Sequence, residues 1–199
     1  MDEATTTDLP PVESHNVGRL VRDWIVVIAL ALGAAMLVRL YVLQQFYISG
    51  PSMETTLFQN NRVLVNKMSY RLHSIHRGDV VVFDRVTTSN GTVAHDDLIK
   101  RVIAVENDTI EIKQCKVYVN SNEVAEPYLD EDQVKLSNPI DRCRVVDMPK
   151  VSVPKDQIFV MGDNRPESFD SRSFGTIPED LVVGRAFAVV WPVGRIRGL

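Results

Sequence analysis

Several things are scarce or missing in this chain, and each absence removes a class of answer. There is no basic excess: 22 Lys and Arg stand against 26 Asp and Glu, for a formal net charge of −4. A nucleic-acid surface is therefore not suggested. No region repeats, and no long stretch has the low hydrophobicity of a disordered segment. Residues 44–199 lack a long amphipathic helix. Lys and Arg are absent from residues 44–61. No Gly-x-Ser-x-Gly elbow surrounds the serine singled out below. Cysteine is limited to Cys115 and Cys143. A disulfide between them would contribute on the order of 3–4 kcal/mol; two free buried thiols are the alternative, and sequence does not choose between them.

One long apolar run is present. Trp24 to Leu43 is apolar except for Arg39, and as a helix it would reach ~30 Å, the thickness of a bilayer core. Arg39 sits where a long side chain snorkels to the interface, and Trp24 and Tyr41 sit near the two ends. A buried soluble helix would show a polar stripe, and Ile25 to Val38 shows none. Ala29-Leu30-Ala31 mimics a cleavage site, yet the apolar run continues past it to Leu43, which favours an uncleaved anchor. Arg19 and Arg22 flank its N-terminal side, so the positive-inside rule assigns residues 1–23 to a cytoplasmic tail and residues 44–199 to the outer face. The chain thus reads as a tail (1–23), an anchor (24–43) and an extracytoplasmic domain (44–199).

That domain changes to period-two patterning. Strands are expected at residues 62–67, 79–83, 98–105, 109–112, 116–119, 151–153, 157–161 and 182–191, with a loop over 87–91. Residues 123–150 are polar, contain Pro127 and Pro139, and read as an excursion from the core. The expected fold is mainly β: one transmembrane helix followed by an all-β domain of folded or barrel-like antiparallel sheets.

Three stretches carry chemistry. In Ile48-Ser49-Gly50-Pro51-Ser52-Met53, Pro51 fixes its own φ and biases Gly50 away from the helical region, so Ser52 is expected on a stiff, extended backbone. A serine nucleophile needs a base. Of the histidines, His15 lies in the tail, His73 and His76 lie in a polar stretch, and only His95 keeps a triad open. Lysine is the other route. Lys100 alone among seven lysines sits in an otherwise apolar run broken only by Arg101, sharing a strand face with Leu98, Val102 and Ala104. Such a face lowers a lysine pKa toward neutrality, where the amine accepts a proton; a buried stem whose ammonium reaches water or a carboxylate is the alternative, and spacing alone does not exclude it. In the third stretch, Gly162 follows an apolar strand and admits close backbone approach. Ser168 is placed to orient the amine, and Asp170 and Arg172 to form an ion pair.

Together these stretches resemble the characteristic boxes of the type I signal peptidases, membrane-bound Ser-Lys endopeptidases that remove signal peptides from exported preproteins. Ser52-Met53-Glu54-Thr55-Thr56-Leu57 is similar to Ser-Met-x-Pro-Thr-Leu. Lys100-Arg101-Val102-Ile103 matches Lys-Arg-Val-Ile, and Gly162 to Arg172 matches Gly-Asp-Asn-Arg-x-x-Ser-x-Asp-Ser-Arg in full. The resemblance spans roughly Trp24 to Trp191.

It implies Ser52 as nucleophile, Lys100 as general base and the Ser52 N–H as an oxyanion donor. Some members add a serine two positions earlier; here that position is Gly50, leaving the second donor to backbone or water. It implies supporting roles for Gly162, Ser168, Asp170 and Arg172. It also implies shallow pockets for small −1 and −3 residues at Phe46, Ile48 and Ile99, positions equally suited to core packing. Three departures touch turns: Thr55 replaces proline, Ala104-Val105-Glu106-Asn107-Asp108 stands for Gly-Leu-Pro-Gly-Asp, and Cys115 sits where glycine is common. A single anchor and a modest insertion resemble the shorter, single-span type. The expected partners are signal peptides of secreted preproteins and membrane lipid, with no nucleic acid, cofactor or metal, at the cytoplasmic membrane as a single-pass monomer.

Overall fold

The computed structural model describes residues 17–89 and 92–199; residues 1–16 of the tail, with His15, lie outside them. The chain forms two units, residues 1–39 and 40–199. In the first, helix α1 (Val17–Tyr41) contains one stretch, Val17–Arg39, long and apolar enough to cross a membrane. It begins seven residues ahead of Trp24, where Arg19 and Arg22 are good helix formers. It stops before Leu43, whose backbone already pairs in a sheet.

The second unit is built from two antiparallel sheets. Its strands are β1 (Leu43–Tyr47), β2 (Arg62–Asn66), β3 (Val80–Ser89), β4 (Thr92–Ala104), β5 (Thr109–Lys113), β6 (Lys116–Val119), β7 (Asn122–Glu123), β8 (Met148–Ser152), β9 (Gln157–Met161), β10 (Ile177–Pro178), β11 (Val182–Trp191) and β12 (Arg197–Gly198). The large sheet has the order β1-β2-β11-β3-β4-β9-β10, with β12 on β11; the small one has the order β7-β6-β5-β8. The mainly β expectation is met.

Alternation explains why the large sheet is buried on both faces. Val80 and Val82 of β3 enter one apolar cluster with Ile48, Met53 and Leu57, whereas Val81 and Phe83 enter another with Val102, Ile158 and Val160. Successive strand residues point to opposite faces, so a run of Val and Phe without polar interruption needs two cores. A third cluster, including Ile110, Ile112, Val117 and Phe159, fills the small sheet.

Two expectations are corrected. The loop expected over 87–91 is largely strand: β3 runs to Ser89 and β4 starts at Thr92, with Ser89 paired to Thr92. β-Branched Thr87 suits a pleated ribbon better than its polarity suggests. The excursion is also not separate from the core at its ends, because Met148–Lys150 join β8 and Asn122–Glu123 pair with β6.

The turn departures have a backbone account. Asn107 and Cys115, each where glycine is common in the resembling family, take φ values of 65° and 69°. Asparagine tolerates this left-handed region; a cysteine there holds strain of order 1 kcal/mol or more. Cys115 is fixed by a disulfide to Cys143, with Cα atoms 5.6 Å apart, which settles the pairing that sequence left open. Replacing both cysteines with serine is expected to lower unfolding stability by roughly 3–4 kcal/mol in non-reducing denaturant titrations. A change under ~1 kcal/mol would show that the bridge is not a stabilising element.

Candidate active site

Ser52 sits on a loop closed at its base and plugged into the core. Ile48 N–H donates to Asn61 O at 2.9 Å, and Asn60 N–H donates to Ile48 O at 2.9 Å. Inside this closure Ile48, Met53 and Leu57 are buried in the first cluster. The nucleophile candidate is not on extended backbone as expected. Glu54 N–H donates to Pro51 O at 3.0 Å, so Ser52 and Met53 form the centre of a turn. Proline at the first position of that turn restrains it just as it would restrain a strand.

Lys100 comes from β4. It is paired with Val81 and stands in one row with Leu98 and Val102, both of which pack in the apolar cluster of Val81, Phe83 and Ile158. Ala104, expected on the same face, lies past a register shift and belongs to the small-sheet cluster. The lysine is 3 % exposed. Its Nζ donates to Ser52 Oγ at 2.7 Å and to Ile99 O at 2.9 Å. Burial lowers its pKa to about 8; Asp170 and Asp163 raise it, and Arg172 lowers it further. His95, the triad alternative, is exposed on β4 with Nδ1 2.6 Å from Asp84 Oδ2.

The third stretch closes the site from the end of β9. Asn164 N–H donates to Ser52 O at 3.1 Å, and its Nδ2 donates to Pro51 O at 3.2 Å. Gly162 is needed for this approach: an added Cβ would fall 2.3 Å from Ser168 Oγ and 2.4 Å from Ser52 O. Gly162 N–H donates to Asp170 Oδ2 at 3.0 Å. Arg172 grips the same carboxylate through Nε at 2.8 Å and Nη2 at 2.7 Å. Burial alone would raise the Asp170 carboxyl, but Arg172 and the Gly162 N–H hold it below its usual range. Ser168 is buried, and its Oγ completes no hydrogen bond of ordinary geometry, although its hydroxyl helps keep the Asp170 carboxyl low. The expected contact with the lysine amine is therefore not made here; Ser52 Oγ and Ile99 O take Nζ instead.

Residues 21–191 match the family described as signal peptidase, peptidase S26. The chain belongs to that family. Among its relatives, "Signal peptidase I P" of Bacillus subtilis subsp. natto is 38% identical over 176 residues, covering 88% of this chain and 91% of that protein. "Signal peptidase IB" of Staphylococcus aureus strain Mu50 is 35% identical over 182 residues, covering 88% and 92%. "Probable signal peptidase I-2" of Synechocystis is 36% identical over 175 residues, covering 88% and 73%. The protein is thus a serine endopeptidase of the signal peptidase I family, with an apolar N-terminal helix consistent with membrane anchoring.

In this signal peptidase, Phe46, Ile48 and Ile99 all pack on the first cluster. Gly50 has open space where a side chain would project, so the missing serine is not excluded by crowding. Among the described residues no group of three His, Cys, Asp or Glu is placed to hold a metal ion.

Sequence reading missed a polar frame around Ser52 and Lys100. Arg101 holds Asp163 through Nε at 2.8 Å and Nη2 at 2.7 Å, and donates to Thr56 Oγ1 at 3.2 Å. Arg165 donates to Gly162 O at 3.1 Å and to both oxygens of Glu126. Asp163 and Arg165 stand within the motif stretch from Gly162 to Arg172, which was a signal; nothing local marked Glu126.

Two outcomes follow from this geometry. Gly162→Ala must push the Ser52 carbonyl or Ser168 aside, and a misplacement of that kind is expected to cut cleavage ~100-fold or more; cleavage within threefold of wild type would refute the close-approach argument. Separately, the unfolded lysine keeps its proton up to about 10.5 but the folded one only to about 8. Between those values the unfolded state binds more protons, so stability rises with pH. Thermal unfolding at pH 7.5 and 9.5 should show this gain, on the order of 2 kcal/mol, in the wild type relative to Lys100→Met; parallel pH curves for the two proteins would refute it.

Proposed function

We propose that this signal peptidase cleaves exported preproteins by a Ser52–Lys100 dyad, after small residues at −1 and −3. The observation that carries the reading is the 2.7 Å contact between Lys100 Nζ and Ser52 Oγ in a site where the lysine is almost wholly out of water.

A neutral Lys100 takes the Ser52 proton as Oγ attacks the carbonyl carbon of the scissile bond. The oxyanion that forms faces the Ser52 N–H, for which no acceptor is seen among the described residues. Protonated Lys100 then gives its proton to the leaving amine, freeing the mature protein and leaving the signal peptide as a Ser52 ester. Lys100, neutral again, removes a proton from water, and the resulting attack breaks the ester and restores Ser52. Asp170, Arg172, Gly162 and Ser168 support the base rather than react.

The substrate runs extended beside β1 and β4. Support comes from the sheet: β4 pairs with β9 only from Arg101 onward, so its 93–99 edge has β3 on one side alone. An added strand finds backbone partners there. Phe46, Ile48 and Ile99 form the apolar floor that admits small side chains. The tail is cytoplasmic, α1 crosses once, and the domain from residue 44 works as a monomer at the outer face against lipid. Only eight residues separate Leu43 from Ser52, which suits a substrate that is itself held in the membrane. The charge distribution favours no nucleic acid.

The test is signal-peptide release from a purified preprotein in detergent. Wild type is expected to cleave after a small residue, with Ser52→Ala and Lys100→Ala at least ~1000-fold slower. Because the base must be unprotonated, kcat/KM should climb tenfold per pH unit below about 8 and level off above it. Full cleavage by Lys100→Ala, or a flat profile from pH 6 to 9, would remove the lysine from the mechanism.

A further inference from the structure

The segment after β7, expected to be an excursion, returns to the catalytic frame at residues 126–128. Thr55 Oγ1 donates to Tyr128 O at 3.0 Å. The Arg101 guanidinium carbon lies 4.0 Å from the centroid of the Tyr128 ring. Tyr128 Oη donates to Glu126 Oε1 at 2.8 Å. Glu126 holds Arg165 in a pair whose side chains are 8% and 4% exposed. Each of these partners flanks the dyad: Thr55 is three residues past Ser52, Arg101 is adjacent to Lys100, and Arg165 anchors the loop whose Asn164 N–H holds the Ser52 carbonyl.

Apolar packing does not account for this placement. Tyr128 belongs to none of the three apolar clusters. Val124, before it, packs on the small-sheet cluster, whereas Leu129, after it, lines a cavity of about 300 Å³. Polar contacts therefore fix residues 126–128, and those that leave this stretch through its side chains and the Tyr128 carbonyl end on Thr55, Arg101 and Arg165. A buried pair such as Glu126–Arg165 adds little net stability, because desolvation offsets its attraction, but it fixes geometry well through two parallel hydrogen bonds.

We propose that Glu126 and Tyr128 form a strap that positions the nucleophile loop against the lysine strand, making both of them positioning residues for peptide cleavage. The proposal rests on the reading of Ser52 and Lys100 as the dyad. The strap joins three separate chain segments at one point, so loosening it lets Ser52 Oγ and Lys100 Nζ drift apart while the edge that receives substrate, on β1 and β4, is untouched. The defect should accordingly fall on kcat and not on KM.

The experiment uses the full chain in detergent with a preprotein substrate, measuring kcat, KM and melting temperature. Tyr128→Ala is expected to lower kcat by about 10- to 100-fold with KM within about twofold. Tyr128→Phe keeps the ring over Arg101 and the main-chain carbonyl, and should recover kcat to within about threefold of wild type. Wild-type kcat in a folded Tyr128→Ala protein would overturn the proposal. So would a loss confined to KM, or one that Tyr128→Phe does not recover. If Tyr128→Ala fails to fold, Thr55→Val decides: it removes a single hydroxyl from the strap, and a kcat loss of about threefold or more supports the strap while unchanged kcat overturns it. Ser52→Ala runs beside these as the separate control. An active Ser52→Ala would sink the dyad reading itself, whereas a silent Ser52→Ala with a fully active Tyr128→Ala sinks only the strap.

Discussion

An ammonium taken out of water forfeits several kcal/mol of hydration, and Lys100 at 3% exposure is in that position. The surroundings of this one amine explain most of what lies near it. Leu98, Val102 and Val81 remove solvent, which drives the proton off. Asp170 and Asp163 pull in the other direction. Left unpaired, the two buried carboxylates would favour the charged amine more strongly. Each is instead gripped by an arginine, Arg172 on Asp170 and Arg101 on Asp163, through two nitrogens apiece. Burial therefore prevails, with Arg172 adding to it, and the lysine lies at about 8 rather than at 10.5.

These arginines also solve a geometric problem. Ser52 and Lys100 come from segments with no backbone pairing to each other, so a contact of 2.7 Å needs rigid intermediaries. Arg101 reaches from the lysine strand to Thr56 on the Ser52 loop. Arg172 reaches back to Arg165 O at 2.7 Å and to Cys143 O at 2.7 Å, tying the third motif to itself and to the disulfide-closed segment. Gly162 then allows the Ser52 carbonyl to approach closer than any side chain would permit. Charge compensation and positioning are performed by the same groups, so neither can be changed alone.

Much of this was legible in the sequence because it is written in short range. The apolar anchor, the period-two strands and the three motif stretches each announce themselves within about a dozen residues. What was not legible is long-range. The Thr55–Tyr128 bond joins residues 73 apart and the Arg165–Glu126 bond residues 39 apart, and no periodicity encodes either. Residues 123–150 were polar and proline-bearing, which correctly excludes a core strand through most of their length. Polarity does not, however, distinguish a solvated loop from one that satisfies buried charges. Ser168 shows a different limit: motif position identified it as a neighbour of the amine, but which acceptor a rotating hydroxyl meets depends on spacings of tenths of an ångström.

Thr55 shows how a local departure from a family pattern is resolved by tertiary partners. Read alone, threonine in place of proline frees the backbone after the nucleophile, since the ring that fixed φ is gone. In the fold, its hydroxyl donates to the Tyr128 carbonyl, and the neighbouring Thr56 receives Arg101. A restraint internal to the chain is replaced by a restraint from another segment. Asn107 and Cys115 follow the same logic, since each occupies the left-handed region without being glycine and each is held from outside, Asn107 by its N–H on Val153 O and Cys115 by its sulfur on Cys143. At Thr55 another segment supplies the restraint that proline would have given, and at Asn107 and Cys115 outside contacts hold a backbone conformation that glycine adopts freely.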